Sequence, residues 1–122
     1  MKTVCVDVDG TLCEYVEWSG PNHFGKLLPG AKEALRDLKA KGWFIIIYTT
    51  RNDNDIIASF LNSNDICFDA INMNPFQPKN AIGGKPIADV YIDDRAITFR
   101  GNWGDTLREI YSFKPWEEQQ NG

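Results

Sequence analysis

One histidine, His23, is all the imidazole in this chain of 122 residues, and three cysteines are all its thiols. A Ser-His-Asp triad or a pair of acid-base histidines therefore has little material. Cys5, Cys13 and Cys67 are odd in number and none stands in a C-x-x-C pair, so zinc-ligand spacing is absent and free, mostly buried thiols are expected. The longest apolar run, near Phe44 to Tyr48, falls far short of the ~20 residues that a spanning helix needs. The N-terminus lacks the charged, apolar and small-residue succession of a secretory signal, which predicts a cytoplasmic protein with no membrane partner. Positive charge is not in excess either: 13 basic against 17 acidic residues leave a net charge of −4, so nucleic acid is not the expected partner.

With 43% hydrophobic and 25% charged residues, the chain has the composition of a folded globular protein, and its length predicts a single domain over residues 1–122. "KTVCVDV" (residues 2–8) is a short Val-rich run and reads as a buried first strand. Residues 10–29 mix Gly, Pro, Ser and aromatics without period, so they form a loop with a short hairpin around "WSGPNHFG". "PGAKEALRDLKAKG" carries helix signals, with apolar Ala31, Ala34, Leu35 and Leu38 at helical spacing, Glu33 early, Lys39 and Lys41 late, and Gly42 as the stop.

"WFIIIYTT" follows as a second strand buried on both faces. "RNDNDIIASFLNSND" reads as a second helix capped by Asn52 or Asp53, and "ICFDAINM" as a short third strand. "NPFQPKNAIGGKP" is loop, "IADVYIDD" a fourth strand, "GDTLREIYSF" a closing helix capped by Asp105, and "KPWEEQQNG" a frayed tail. Strand and helix in alternation predict an α/β, three-layer sandwich with a mostly parallel, Rossmann-like sheet, whose ligands bind at the carboxyl ends of the strands.

Those ends are where the chemistry gathers. The first strand ends in Asp7 and Asp9, the second in Thr49, Thr50 and Arg51, and the fourth in Asp93, Asp94 and Arg95, with Lys85 just ahead of it. On a continuing strand Asp7 and Asp9 would lean the same way, about 6.6 Å apart, a gap that could hold a phosphoryl group. Converging carboxylates without His or Cys make a hard, oxygen-rich site that suits Mg²⁺. Each feature has a plainer reading: Asp9-Gly10 as a turn, Thr49 and Thr50 as strand formers, Lys85 as a surface lysine, Asp93-Asp94 as a turn cap. Their recurrence at one edge of one sheet favours a site.

The four segments together resemble the haloacid dehalogenase superfamily of phosphatases. "DVDGTL" (Asp7 to Leu12) resembles its first motif, "IIIYTTR" its second with Thr49 as the matching residue, "GGKP" around Lys85 its third, and "VYIDDR" its fourth with Asp93 and Asp94. The resemblance spans nearly the whole chain and implies a Mg²⁺-dependent phosphomonoester hydrolase that works through an aspartyl-phosphate. Asp7 would be the nucleophile and Asp9 the acid and base. Asp7, the Asp9 carbonyl and Asp93 would hold Mg²⁺, with Asp94 through water or as an alternate ligand. Thr49 and Lys85 would grip phosphoryl oxygens, Gly10 would turn its N–H toward them, and Arg51 and Arg95 would touch substrate or pair with nearby aspartates.

Many members carry a cap domain, for which this chain has no room, so the expectation is a capless core with a flap over residues 10–29. Tyr15, Trp18, His23 and Phe24 on that flap either pack over the sheet edge or meet substrate. A large phosphomonoester, or a neighbouring subunit of a homo-oligomer, would close such an open site. Two alternatives stand beside hydrolysis: a phosphotransferase or mutase of the same superfamily, and a receiver-like signalling module. Receiver domains, however, place the phosphorylated Asp at the end of the third strand.

Overall fold

A computed structural model describes residues 1–119. The chain divides into two compact units, Met1–Ile92 and the segment from Asp93 onward.

The first unit holds a four-stranded parallel sheet in the order β3-β2-β1-β4, built from β1 (Thr3–Val6), β2 (Phe44–Ile47), β3 (Ala70–Ile71) and β4 (Val90–Ile92). Every strand is shorter than its hydrophobic run. β1 stops at Val6 because the next residues fold into a turn, with Thr11, Leu12 and Cys13 all donating N–H to the Val8 carbonyl. Asp7 and Asp9 therefore do not continue a two-residue repeat.

Register places Val4 beside Ile45 and Val90, and Val6 beside Ile47 and Ile92, so these residues share one face. On it Val4, Val6, Ile45 and Ile47 join Leu35 of α1 (Ala31–Ala40) with Ile57 and Leu61 of α2 (Asn54–Ser63) in one buried cluster. Burying side chains of this size contributes about 1.5–3 kcal/mol each. Two right-handed crossovers stepping the same way along a sheet place both helices on the same side. The opposite face carries Cys5, Phe44, Ile46 and Tyr91. There the loop after β3 packs back, with the Phe76 ring edge-on to Phe44 at 5.3 Å and Lys85 Nζ 4.6 Å from the Tyr91 ring centroid.

α2 is capped by Asp53, whose carboxylate accepts the Ile56 N–H, which resolves the two caps expected there. α1 has Gly30 at its cap in left-handed backbone (φ 87°) and no side-chain cap.

The second unit contains α3 (Trp103–Ser112) and α4 (Trp116–Gln119). Asn102, not Asp105, caps α3: its side chain accepts the Asp105 N–H, and the helix begins at Trp103, three residues ahead of where an Asp105 cap would start it. The tail expected to fray forms a turn of helix over 116–119; its last three residues lie outside the described part. Cys5, Cys13 and Cys67 are free thiols, as expected, the first two buried. Among the described residues no helix is long and apolar enough to cross a membrane.

Candidate active site

In the order β3-β2-β1-β4 the chain runs outward from β1 to β3 and then returns to the other side of β1. The strand order thus reverses between β1 and β4, and open α/β sheets bind ligands in the crevice at such a point. The Asp7 N–H donates to the Ile92 carbonyl at 3.0 Å, extending the β1–β4 ladder by one step. Asp93 and Asp94 follow Ile92 directly in the chain. Asp7 thus follows β1, and Asp93 and Asp94 follow β4, at the carboxyl ends of two paired strands. Within the second unit the Asp93 carboxylate accepts the Arg95 N–H at 2.8 Å, and the largely buried Asp94 carboxylate lies 3.7 Å from Arg95 Nε.

The loop from Val8 to Cys13 sets the rest of the nucleophile side. Gly10 sits at φ 83°, the left-handed conformation that glycine adopts without a Cβ penalty. Its N–H, expected to turn toward phosphate, donates instead to the Cys13 carbonyl at 2.9 Å, closing the turn on itself. Thr11 Oγ1 is the buried side-chain polar atom that has no partner among the described residues.

At the end of β2, Thr49 Oγ1 accepts the Arg51 N–H at 3.2 Å, leaving its own hydroxyl hydrogen available to donate. Asn72 holds this segment from the end of β3. Its side-chain oxygen accepts the Thr49 N–H at 2.8 Å, and its side-chain amide donates to the Arg51 carbonyl at 3.1 Å. Asn72 adopts φ 55°, a conformation asparagine tolerates better than most residues. The sequence reading passed over this residue; an asparagine directly after a strand of the same sheet edge was the available signal.

Arg51 is buried and forks onto Asp9, with Nε to Oδ2 and Nη2 to Oδ1, both at 2.9 Å. Between the two arrangements open to it from sequence, substrate contact or an aspartate partner, the second is the one formed. Nη2 also donates to the His23 carbonyl at 2.7 Å and Nη1 to the Pro21 carbonyl at 3.2 Å. The Phe24 ring centroid lies 3.9 Å from the guanidinium carbon, and that of Trp18 lies 5.2 Å away. Phe24 in turn stacks on Phe60 of α2, with ring centroids 4.0 Å apart. Two of the flap aromatics therefore cover an arginine, and His23 contributes its backbone rather than its imidazole.

The flap itself is a hairpin-like loop. Cys13 and Leu27 form an antiparallel bridge, Glu14 N–H donates to Lys26 at 2.8 Å, and Leu28 N–H donates to Leu12 at 2.8 Å. Gly25 is required at this neck: a Cβ there would lie 2.0 Å from the Glu14 carbonyl oxygen.

Lys85 is exposed and sits over Tyr91, on the side of a cavity of about 340 Å³ that it shares with Asn72 and Asn74. The loop carrying it is braced by Asn74, whose amide donates to the Ile87 carbonyl, and by Gln77, which accepts the Ile87 N–H and donates to Ala81. A second cavity, of about 380 Å³, opens between flap residues Asn22 and Phe24 and the α2 residues Asp55, Ser59 and Ser63. None of the strand-end acids lines it.

Burial pushes the Cys5 and Cys13 thiols up to about 11; for Cys13 the nearby Asp9 charge adds to the effect. Both are thus neutral packing groups rather than nucleophiles.

Two solved structures match the chain nearly end to end. A conserved protein from Bacteroides thetaiotaomicron is 26% identical at a TM-score of 0.66, covering 94% of this chain and 93% of its own. A structural-genomics target from Vibrio cholerae is 26% identical at a TM-score of 0.53, covering 98% and 95%. The fold is the one that these two solved structures share. In this chain the long connections are the flap between β1 and α1 and the braced loop between β3 and β4. D,D-heptose 1,7-bisphosphate phosphatase from B. bronchiseptica, solved with magnesium and phosphate, overlaps 66% of this chain and 54% of its own at 23% identity and a TM-score of 0.44, too slight a match to inform the chemistry. No family model and no curated protein sequence matches the chain.

Proposed function

We propose that the protein is a Mg²⁺-dependent phosphomonoester hydrolase working through an aspartyl-phosphate on Asp7. The observation that carries this reading is the parallel β1–β4 pairing, in which Asp7 directly follows the paired part of β1, and the chain continues from β4 into Asp93 and Asp94. In the first half of the reaction an Asp7 carboxylate oxygen bonds to phosphorus in line as the ester P–O bond breaks, and Asp9 gives its proton to the departing oxygen. In the second, Asp9 takes a proton from the water that attacks phosphorus, releasing phosphate and regenerating Asp7. Thr49 donates its hydroxyl, and Lys85 its charge, to phosphoryl oxygens.

Every donor in the acidic group is a carboxylate or carbonyl oxygen, which fits Mg²⁺ and not a soft metal. Asp7, the Asp9 carbonyl and Asp93 would hold the ion, with Asp94 through water or as an alternate ligand. When bound it supplies the positive charge that offsets repulsion between the Asp7 carboxylate and a phosphate dianion.

The test is turnover of p-nitrophenyl phosphate and of a broad phosphometabolite panel with Mg²⁺. Activity lost to a chelator and restored by Mg²⁺ is expected. Folded, metal-loaded protein that turns over no member of the panel would end the proposal.

A further inference from the structure

Arg51 is joined to more of the flap than to the sheet that carries it. Its guanidinium spends two N–H groups on Asp9 and two on the flap carbonyls of Pro21 and His23, and its faces meet Phe24 and Trp18. A buried guanidinium cannot give up its carboxylate partner and stay where it is, because an uncompensated charge at that depth is costly. Neither can the flap tip shift without taking the fork with it.

We infer that Arg51 is a positioning residue that couples the flap to Asp9: a seated flap holds the Asp9 carboxyl in one orientation, and displacement of residues 18–24 releases it. This rests on the hydrolase reading above for its catalytic consequence, but the coupling itself is a property of the folded chain. The bidentate geometry makes the claim specific. Lysine can match the charge of Arg51 but not the planar fork that fixes both carboxylate oxygens at once.

The catalytic consequence falls on the proton that Asp9 must carry: a carboxylate accepting from the guanidinium through both oxygens has none to give, so the seated fork holds Asp9 as the base and its release lets Asp9 act as the acid. An alkyl phosphate leaves as a strongly basic alkoxide and needs a protonated Asp9, whereas p-nitrophenolate leaves without that help. Arg51→Lys, which loosens the fork, is therefore expected to raise the ratio of kcat on an alkyl phosphate such as glycerol phosphate to kcat on p-nitrophenyl phosphate by at least about tenfold. Phe24→Ala, which leaves the fork's own atoms in place and removes the flap's stacking, is expected to shift the ratio in the same direction. A ratio unchanged or lowered for Arg51→Lys, with an unchanged far-UV spectrum, would overturn the inference.

Amide hydrogen exchange gives a readout that needs no turnover. Replacing Asp9 by Asn removes the charged fork from the sheet side, and the flap-tip His23 amide, which is bonded to the Gly20 carbonyl, is expected to exchange at least about tenfold faster. The Leu12 and Cys13 amides of the adjacent turn should keep their protection. Unchanged exchange at residues 20–24 defeats the coupling even if the protein is an active phosphatase. Accelerated exchange in a protein that hydrolyses nothing supports the coupling and leaves the hydrolase reading as the failed part.

Discussion

Asp7 and Asp9 stand two residues apart and yet serve different surroundings. Asp7 extends the β1–β4 ladder through its N–H, while the Asp9 carboxylate turns to Arg51. Separate losses are therefore expected: Asp7→Asn should abolish turnover and leave no phosphoenzyme detectable by acid quench, whereas Asp9→Asn should reduce kcat by about 10²–10⁴-fold. A wild-type rate in the Asp7 variant would remove it from the nucleophile's place. Gly25 poses a purely steric question. Gly25→Ala sets a methyl against the Glu14 carbonyl, which must move, and a cost of about 1–3 kcal/mol is expected, read as a lowered Tm. Asp7, Asp9, Thr49 and Asp93 stood out in the sequence as candidate site residues because charge and hydroxyl at a strand end have few other uses. Asn72 and the Arg51 fork did not, because a side-chain amide or guanidinium names no partner until distant segments meet.

The elements were legible in kind and less so in extent. α1, α2 and α3 were found from their apolar spacing while α4 lies in the tail expected to fray, and Asn102 rather than Asp105 opens α3, since Ser, Asn and Asp can all serve as caps and only the chain's entry angle selects among them. Strands were read too long for a different reason. Hydrophobic runs continue past the last strand residue because apolar residues also serve where the chain leaves the ladder: the buried Val8 turns its carbonyl to Thr11, Leu12 and Cys13, and Tyr48 gives β1 one last N–H at the Val6 carbonyl. Two element-level costs can be measured. Asp53→Ala removes the α2 cap and is expected to destabilise the protein by about 1 kcal/mol. Leu61→Ala, on the buried face of the same helix, is expected to cost about 2–5 kcal/mol. Denaturant unfolding of both variants checks the ranking, and a cap loss as large as the cavity loss would contradict the packing described.

For the molecule as a whole, the two buried thiols set a limit on alkaline stability. Their folded values near 11 lie above the ordinary thiol value near 9, so both states are protonated below pH 9 and the contribution is fully present there. As pH rises from 9 toward 11 the unfolded thiols ionise first and that stability is lost. Tm should fall across this window, and a Cys5→Ala, Cys13→Ala double variant should fall less steeply; equal slopes would contradict the burial of these groups. The chain by itself determined the alternation of strand and helix, the residues at the strand ends and the chemical hardness of the site, since periodicity, turn residues and side-chain type are local properties. Only the tertiary structure decided the 3-2-1-4 order that reverses at β1, the spending of the Gly10 N–H on its own turn and the binding of Arg51 to both flap and Asp9. Those depend on which segments meet, and a buried charge or N–H takes its partner from whatever the fold brings within hydrogen-bonding distance.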